Sequence, residues 1–250
     1  VTERNEWLLV EGRRPVEEAL GGGRRVREVL VQEGIQEGAL RHFARLAERV
    51  GAPLRRLSKA EFRALTRSAV PQGVAAWVEA VRYTPIEQLL EQARRPGLLL
   101  MCDGVVDPHN LGALIRSAEA AGASGVVIPK NRSAGINQTV VKASAGAALK
   151  LPIAQVTNLT RTIEQLKKAG YWVVGASAAA DRSLWNVDFT QPTAIVVGSE
   201  GRGISRLVSE ACDILAKIPM PGTIESLNAS VAGALFLFEA VRQRSNHRST

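Results

Sequence analysis

Apolar positions along the chain fall into two alternating series of short runs and amphipathic stretches, separated by one charged segment. In the first 80 residues, "WLLVEG", "VREVLVQ", "APLRRLS" and "GVAAWVEA" predict strands. Between them "RPVEEAL", "EGALRHFARLAERVG" and "SKAEFRAL" predict helices. The longest has its apolar stripe at Leu40, Phe43, Leu46 and Val50 and stops at a glycine. The last opens at Ser58, with Glu61 three residues on as its capping-box partner. "VRYTPIEQLLEQARRPG", a short charged helix between prolines, reads as a linker. From residue 97, "LLLMCDG", "GVVIP", "LPIAQV", "YWVVGAS", "TAIVVGS" and "ILAKIPM" predict six strands, with helices such as "NLTRTIEQLKKAG" between several of them. Strands that are apolar almost throughout and alternate with helices imply a parallel sheet covered on both faces. The expected fold is α/β: a small α/β domain at 1–80, a linker at 81–96, and a larger parallel-sheet α/β domain at 97–250.

In such a sheet ligands sit beyond the carboxyl ends of the strands, where loops converge. Three of those loops stand out. "DGVVDPHNLGALIRSAEAAG" turns at Asp107-Pro108 and opens a helix near Asn110, with an apolar stripe of Leu111, Leu114, Ile115, Ala118 and Ala121. Helical phase turns Arg116 away from that stripe. On these residues alone Asn110 is a cap and Arg116 a solvated side chain. "AIVVGSEGRGIS" spaces Gly198, Gly201 and Gly203 as G-x-x-G-x-G, which is neither a dinucleotide fingerprint, nor a P-loop, nor a nucleophile elbow. A plain glycine-rich turn stays open, and Glu200 weighs against a phosphate ligand. "IPMPGTIESLNASVAGALFLFEAVRQRS", from Ile218, is irregular until Ser226 or Asn228 caps a last helix. Only Glu239 is charged between Ala229 and Val241, and Val231, Leu235, Phe236, Leu237 and Phe238 surround the helix. That implies burial on nearly all sides, inside the domain or against a second subunit.

Composition narrows the class. The 250 residues are 46% hydrophobic and 22% charged, as in ordinary globular proteins. No uncharged apolar stretch reaches the roughly 18 residues of a membrane span, and "VTERNEWLLVEGRR" is unlike a secretory signal. Cys102 and Cys212 read as buried thiols in a cytoplasmic setting; His42, His109 and His247 lack zinc-site spacing, so no metal is expected. The net charge of +8 permits a polyanionic partner. Residues 1–80 hold 14 Lys and Arg against 11 Asp and Glu, and the remainder 18 against 13, so the excess is spread over both parts. The pairs Arg13-Arg14, Arg24-Arg25 and Arg55-Arg56 suit phosphate, and equally suit a solvated face.

Taken together and in order, the three loops resemble the motifs of the SpoU family of RNA ribose methyltransferases. "DPHNLGALIR" is similar to N-x-G-x-x-x-R, "VVGSEGRGIS" to G-x-E-G-x-G, and "IPMPGTIESLNASVA" to P-M-x-G-x-x-x-S-L-N-x-S. The first 80 residues resemble the family's L30e-like RNA substrate-binding domain. "VVIPKNRSAGIN" and "LFEAVRQRS" look most like members acting on bacterial 23S rRNA. The resemblance implies a SPOUT catalytic domain with a deep trefoil knot that binds S-adenosyl-L-methionine around Gly198, Gly201, Gly203, Ile218, Met220 and Leu227. It implies a homodimer through the knotted domains, and 2'-O-methylation of a guanosine ribose in the peptidyl-transferase P-loop of 23S rRNA. The motif residues fall on Asn110, Arg116, Glu200, Ser226 and Asn228. Arg116 would be the base or a charged stabiliser, Asn110 and Glu200 would orient it or the ribose, and Ser226 and Asn228 would shape the pocket. Two alternatives stay open: a paralogue acting on another rRNA nucleotide or on tRNA, and a non-catalytic RNA-binding assembly factor.

Overall fold

A computed structural model describes residues 6–66, 72–93, 96–224 and 226–247. The first five residues, read above as unlike a signal, and Arg94-Arg95 of the expected linker lie outside the described residues. The elements begin with β1 (Trp7–Glu11), α1 (Arg13–Gly21), β2 (Val26–Gln32), α2 (Glu37–Arg49), β3 (Leu54–Leu57), α3 (Lys59–Leu65) and β4 (Val74–Glu79). They continue with α4 (Ile86–Gln92), β5 (Leu98–Asp103), α5 (Pro108–Ala120), β6 (Gly125–Pro129), α6 (Gln138–Ala143), β7 (Ile153–Val156) and α7 (Leu159–Lys168). Last come β8 (Trp172–Ala176), β9 (Arg182–Ser183), β10 (Thr193–Gly198), α8 (Arg206–Ala211), β11 (Ile214–Lys217) and α9 (Ala229–His247). They pack as two units, Val1–Arg82 with Ile136–Lys150, and Tyr83–Gly135 with Leu151–Thr250.

The first unit holds a mixed sheet in the order β1-β4-β2-β3, with β4 antiparallel to both neighbours and β2 parallel to β3. Strand alternation puts Leu9, Leu30, Leu57 and Ala75 on one face, where Phe62 of α3 covers them. The capping box at Ser58 forms as its spacing predicts: Ser58 N donates to Glu61 Oε2 at 2.8 Å and Glu61 N to Ser58 Oγ at 3.3 Å. On α2 the stripe ends early, because the helix stops at Arg49 and leaves Val50 39% exposed, while Ala47 is buried instead.

This unit is not one continuous piece of chain. Asn137 caps α6 by accepting from Val140 N at 3.0 Å, and Val140, Val141, Ala148 and Leu149 are buried. Gln138 Nε2 donates to the buried Glu11, Lys150 pairs with Glu18, and Arg24 Nε donates to Leu149 O at 2.6 Å. The stretch 136–150, placed by its position in the sequence within 97–250, therefore packs with the first unit.

The second unit is an all-parallel sheet in the order β7-β6-β5-β10-β8-β11-β9. It contains the six expected strands and a two-residue addition, β9. All six residues of the central β10 are buried, which is why "TAIVVG" is apolar almost throughout. The segment expected as a linker departs from that role: Ile86 and Leu89 of α4 are buried in the core with Leu99, Met101 and Val127. Burying each contributes roughly 1.5–3 kcal/mol, enough to hold so short a helix to the sheet. In α9 Phe236, Leu237 and Ala240 are buried, but Val231, Leu235 and Phe238 are exposed, so one apolar face is left without cover among the described residues. Glu239 is buried and holds Arg242 through two hydrogen bonds, which keep its carboxyl below the usual carboxylate range. Among the described residues no helix is long and apolar enough to cross a membrane.

Candidate active site

Parallel pairing aligns the strand ends that matter. Gly198 at the end of β10 lies beside Asp103 at the end of β5, and Ala216 of β11 beside Ala176 of β8. The loops that follow therefore leave the sheet along one edge. After β10 the chain turns back at once: Ser199 N donates to Gly203 O at 3.0 Å and Gly203 N to Ser199 O at 2.9 Å. A Cβ on Gly198 would stand 1.9 Å from the carbonyl carbon of Gly203, so only glycine permits this closure. Gly201 and Gly203 have φ of 79° and 65°, where other residues are strained. The far end of the loop is tied to β5, since Ser205 N donates to Asp103 Oδ2 at 2.7 Å.

Asn110 is not the cap of α5. Asp107 takes that role, accepting from His109 N at 3.1 Å and Asn110 N at 3.2 Å, with Pro108 in the first turn. This frees the Asn110 side chain. Its Nδ2 donates to Glu200 Oε2 at 3.2 Å, and its Oδ1 accepts from Asn228 Nδ2 at 2.9 Å. Asn228 Oδ1 in turn accepts from Ser230 N at 2.9 Å, so Asn228 rather than Ser226 caps α9. The carboxylate accepts only, so it fixes the orientation of the first amide, and that amide fixes the second. One hydrogen-bonded line, Glu200–Asn110–Asn228, thus joins all three loops.

Beside it lies a cavity of about 330 Å³. Gly198, Gly201, Gly203, Ile218, Met220 and Leu227, all expected around a cofactor, line it together with Glu200 and Ser226. Sequence reasoning missed Ala176 to Ala179 and Phe236, which also line it. The signal was present, because "YWVVGAS" ends a strand at the same edge and small residues follow. Asn110, Asn228 and Arg116 do not line the cavity. Arg116 is exposed on α5, six residues beyond Asn110 and thus about 9 Å further along the helix. Among the described residues it has no hydrogen-bond or ion-pair partner.

The lining carries one carboxylate, Glu200, and one guanidinium, Arg202; most of the rest is small or apolar. Such a cavity suits an adenosyl group with an uncharged sugar and a compact sulfonium side chain, with backbone groups of the glycine loop close at hand. It offers no cradle for a polyphosphate. Cys102 and Cys212 lie outside the lining, and burial pushes both up to about 12, so neither is a nucleophile at neutral pH. Among the described residues no three His, Cys, Asp or Glu side chains gather as a metal site would need.

Residues 97–238 match the SpoU rRNA Methylase family, and residues 9–84 match the family described as RNA 2'-O ribose methyltransferase substrate binding. The chain is 44% identical over 248 residues to the 23S rRNA (guanosine-2'-O-)-methyltransferase RlmB of Xanthomonas campestris, covering 98% of this chain and 99% of that protein. It is 41% identical over 243 residues to a protein of Staphylococcus saprophyticus named as a TrmH family tRNA/rRNA methyltransferase, covering 96% and 97%. The crystal structure of the SpoU methyltransferase AviRb from Streptomyces viridochromogenes with AdoMet matches it with a TM-score of 0.82 at 30% identity, over 97% of this chain and 92% of that one. The chain belongs to the SpoU family, and is an S-adenosyl-L-methionine-dependent RNA 2'-O-ribose methyltransferase of the SPOUT fold.

Proposed function

We propose that the enzyme methylates the ribose of one guanosine in bacterial 23S rRNA, working as a cytoplasmic homodimer. The observation that carries the chemistry is the Glu200–Asn110–Asn228 line beside a cavity suited to the cofactor. Similarity over nearly the whole of both chains to a protein named for a 23S guanosine supports the choice of substrate.

Bound S-adenosyl-L-methionine supplies an electrophilic methyl group on a sulfonium. This chain's residues must place the 2'-hydroxyl in line with it and stabilise the oxygen as its proton passes to solvent, the methyl moving to the oxygen as the neutral thioether departs. Gly198, Ile218 and Leu227 hold the cofactor through their backbone groups. Glu200, oriented by Asn110, fixes the ribose, and Ser226 shapes the entrance. Arg116 grips a substrate phosphate and the developing alkoxide with its planar fork of donors, which a single point charge could not match.

In a single chain Arg116 does not line the cavity, and the apolar face of α9 left open among the described residues supports a dimer in which it reaches the partner's. Val231, Leu235 and Phe238 form an apolar strip with Ala113 and Ser117 of α5, and Arg116 borders Ala113 and Ser117 on that helix. A second copy seated on the strip covers it and brings each Arg116 to the partner's cavity. Mapping ribose methylation by mass in RNA from a strain lacking the gene tests the substrate. One 23S guanosine should lose its methyl and regain it when the gene is restored. Loss from a tRNA would move the assignment to the alternative substrate, and unchanged RNA would overturn both.

A further inference from the structure

The N-terminal unit has a pocket of its own. It opens where β1 begins and β4 ends, has a volume of about 270 Å³, and is lined by Glu6, Trp7, Arg25, Glu79 and Arg82 among others. Two of its lining residues belong to the sheet, where Trp7 pairs with Glu79 across the antiparallel ladder, and backbone bonds tie the flanking residues to it: Glu79 N donates to Arg25 O at 2.9 Å, and Ala80 N to Glu6 O at 2.8 Å. The Arg25 guanidinium lies over the Trp7 ring, 5.8 Å from its centroid. The neighbouring Arg24 has a separate task. It is partly buried and donates to Leu149 O and Ala80 O, tying the fold together. Of the pair Arg24-Arg25, only the second is exposed.

The chemistry of this pocket is specific. Within the lining Arg25 and Arg82 stand against Glu6 and Glu79; Arg82 Nη2 donates to Glu79 Oε1 at 2.6 Å, and the nearby Arg24 is spent on backbone carbonyls, so the lining itself carries no net charge to draw a phosphate. Four charged groups around the opening disfavour an apolar ligand, which would strip their water. What fits is a flat, neutral ring with a polar edge: it stacks on a guanidinium backed by an aromatic ring, and its amino or imino hydrogens point at a carboxylate. The volume is near the lower end for small-ligand sites, roughly 300 Å³, which suits one base. We propose that this pocket receives a single unstacked nucleobase of the RNA substrate, stacked on Arg25 over Trp7, with Glu6 accepting from its edge. The proposal rests on the assignment of the enzyme as an RNA methyltransferase, and adds what the N-terminal unit reads.

The test uses the full-length enzyme with an rRNA fragment that it methylates, and the variants Arg25→Ala, Trp7→Leu and Trp7→Phe. Arg25→Ala and Trp7→Leu should raise KM for RNA about 5- to 150-fold, the range for loss of one base stack, with kcat and cofactor affinity unchanged. Trp7→Phe, which keeps a ring, should stay within about threefold of the parent. The salt dependence of RNA binding should be the same for Arg25→Ala as for the parent, because stacking releases no counterion. A slope lower by about one would show that Arg25 grips a phosphate and would overturn the base pocket. So would an unchanged KM in Arg25→Ala, a Trp7→Phe defect equal to that of Trp7→Leu, or losses matched by falling cofactor affinity. A parent enzyme that neither binds the cofactor nor methylates RNA would instead overturn the family activity itself, so the two failures are distinguishable.

Discussion

In the N-terminal unit Ser58 and Glu61 cap a helix between themselves, three residues apart. In the other unit Asn110 and Glu200 are ninety residues apart, and meet only because β5 and β10 run side by side. Charge differs too. Along the sequence the positive excess is spread over both parts, but folding moves Arg82, Lys142 and Lys150 into the first unit. That unit then holds 17 Lys and Arg against 11 Asp and Glu, a net of +6, and the second 15 against 13, a net of +2. The unit that matches a substrate-binding family thus carries most of the charge that draws a polyanion. A site built from long-range single hydrogen bonds should fail abruptly, and a surface that acts through summed charge should weaken by degrees.

Substitutions at the two kinds of site can break that contrast. The largest effect is expected for Arg116→Lys, which replaces a planar fork by a point charge. Its kcat should fall by about 10²- to 10³-fold while calorimetry shows unchanged cofactor binding; near-normal turnover would remove Arg116 from the chemistry. Phe238→Glu puts a charge in the apolar strip, and light scattering should then show a monomer with a comparable loss of activity. A fully active dimer would mean that the strip is not the interface. Asn110→Ala leaves Glu200 and Asn228 without their shared partner, and should lower kcat roughly 10- to 150-fold, the worth of a hydrogen bond to a charged group.

Graded effects belong to the first unit. Deleting residues 1–80 is an unsuitable probe, because it would uncover Val140, Val141 and Leu149. Arg56→Ala, at an exposed position on the edge strand β3, should weaken RNA binding only a few-fold and lower the salt slope by about one. A loss as steep as that of Asn110→Ala would erase the contrast between the units. The smallest effect is Ser58→Ala, which should cost about 1 kcal/mol of stability in a denaturant titration and leave turnover alone.

Much of the secondary structure was legible because it depends on residues close together in the chain. The six strands of the second unit, the outward phase of Arg116 and the cap at Ser58 follow from apolar runs, a helical angle and a three-residue spacing. Other features were not legible. The burial of Ile86 and Leu89 in the charged helix α4 depends on a sheet that the local pattern cannot reveal. Asp107 and Asn110 are both residues that cap helices, and the choice between them turned on the partners waiting for Asn110. Ala176 to Ala179 have no distinctive chemistry, and become part of a cavity only because β8 lies next to β10.

By itself the sequence determined the α/β class, the strands and the three loops of the candidate site, since backbone preference and hydrophobic period act over a few residues. Tertiary structure alone decided which side chains bond to one another, where 136–150 packs, and which face of α9 is left apolar and open. Those outcomes depend on pairing between strands far apart in the chain, and no local pattern of residues encodes a distant partner.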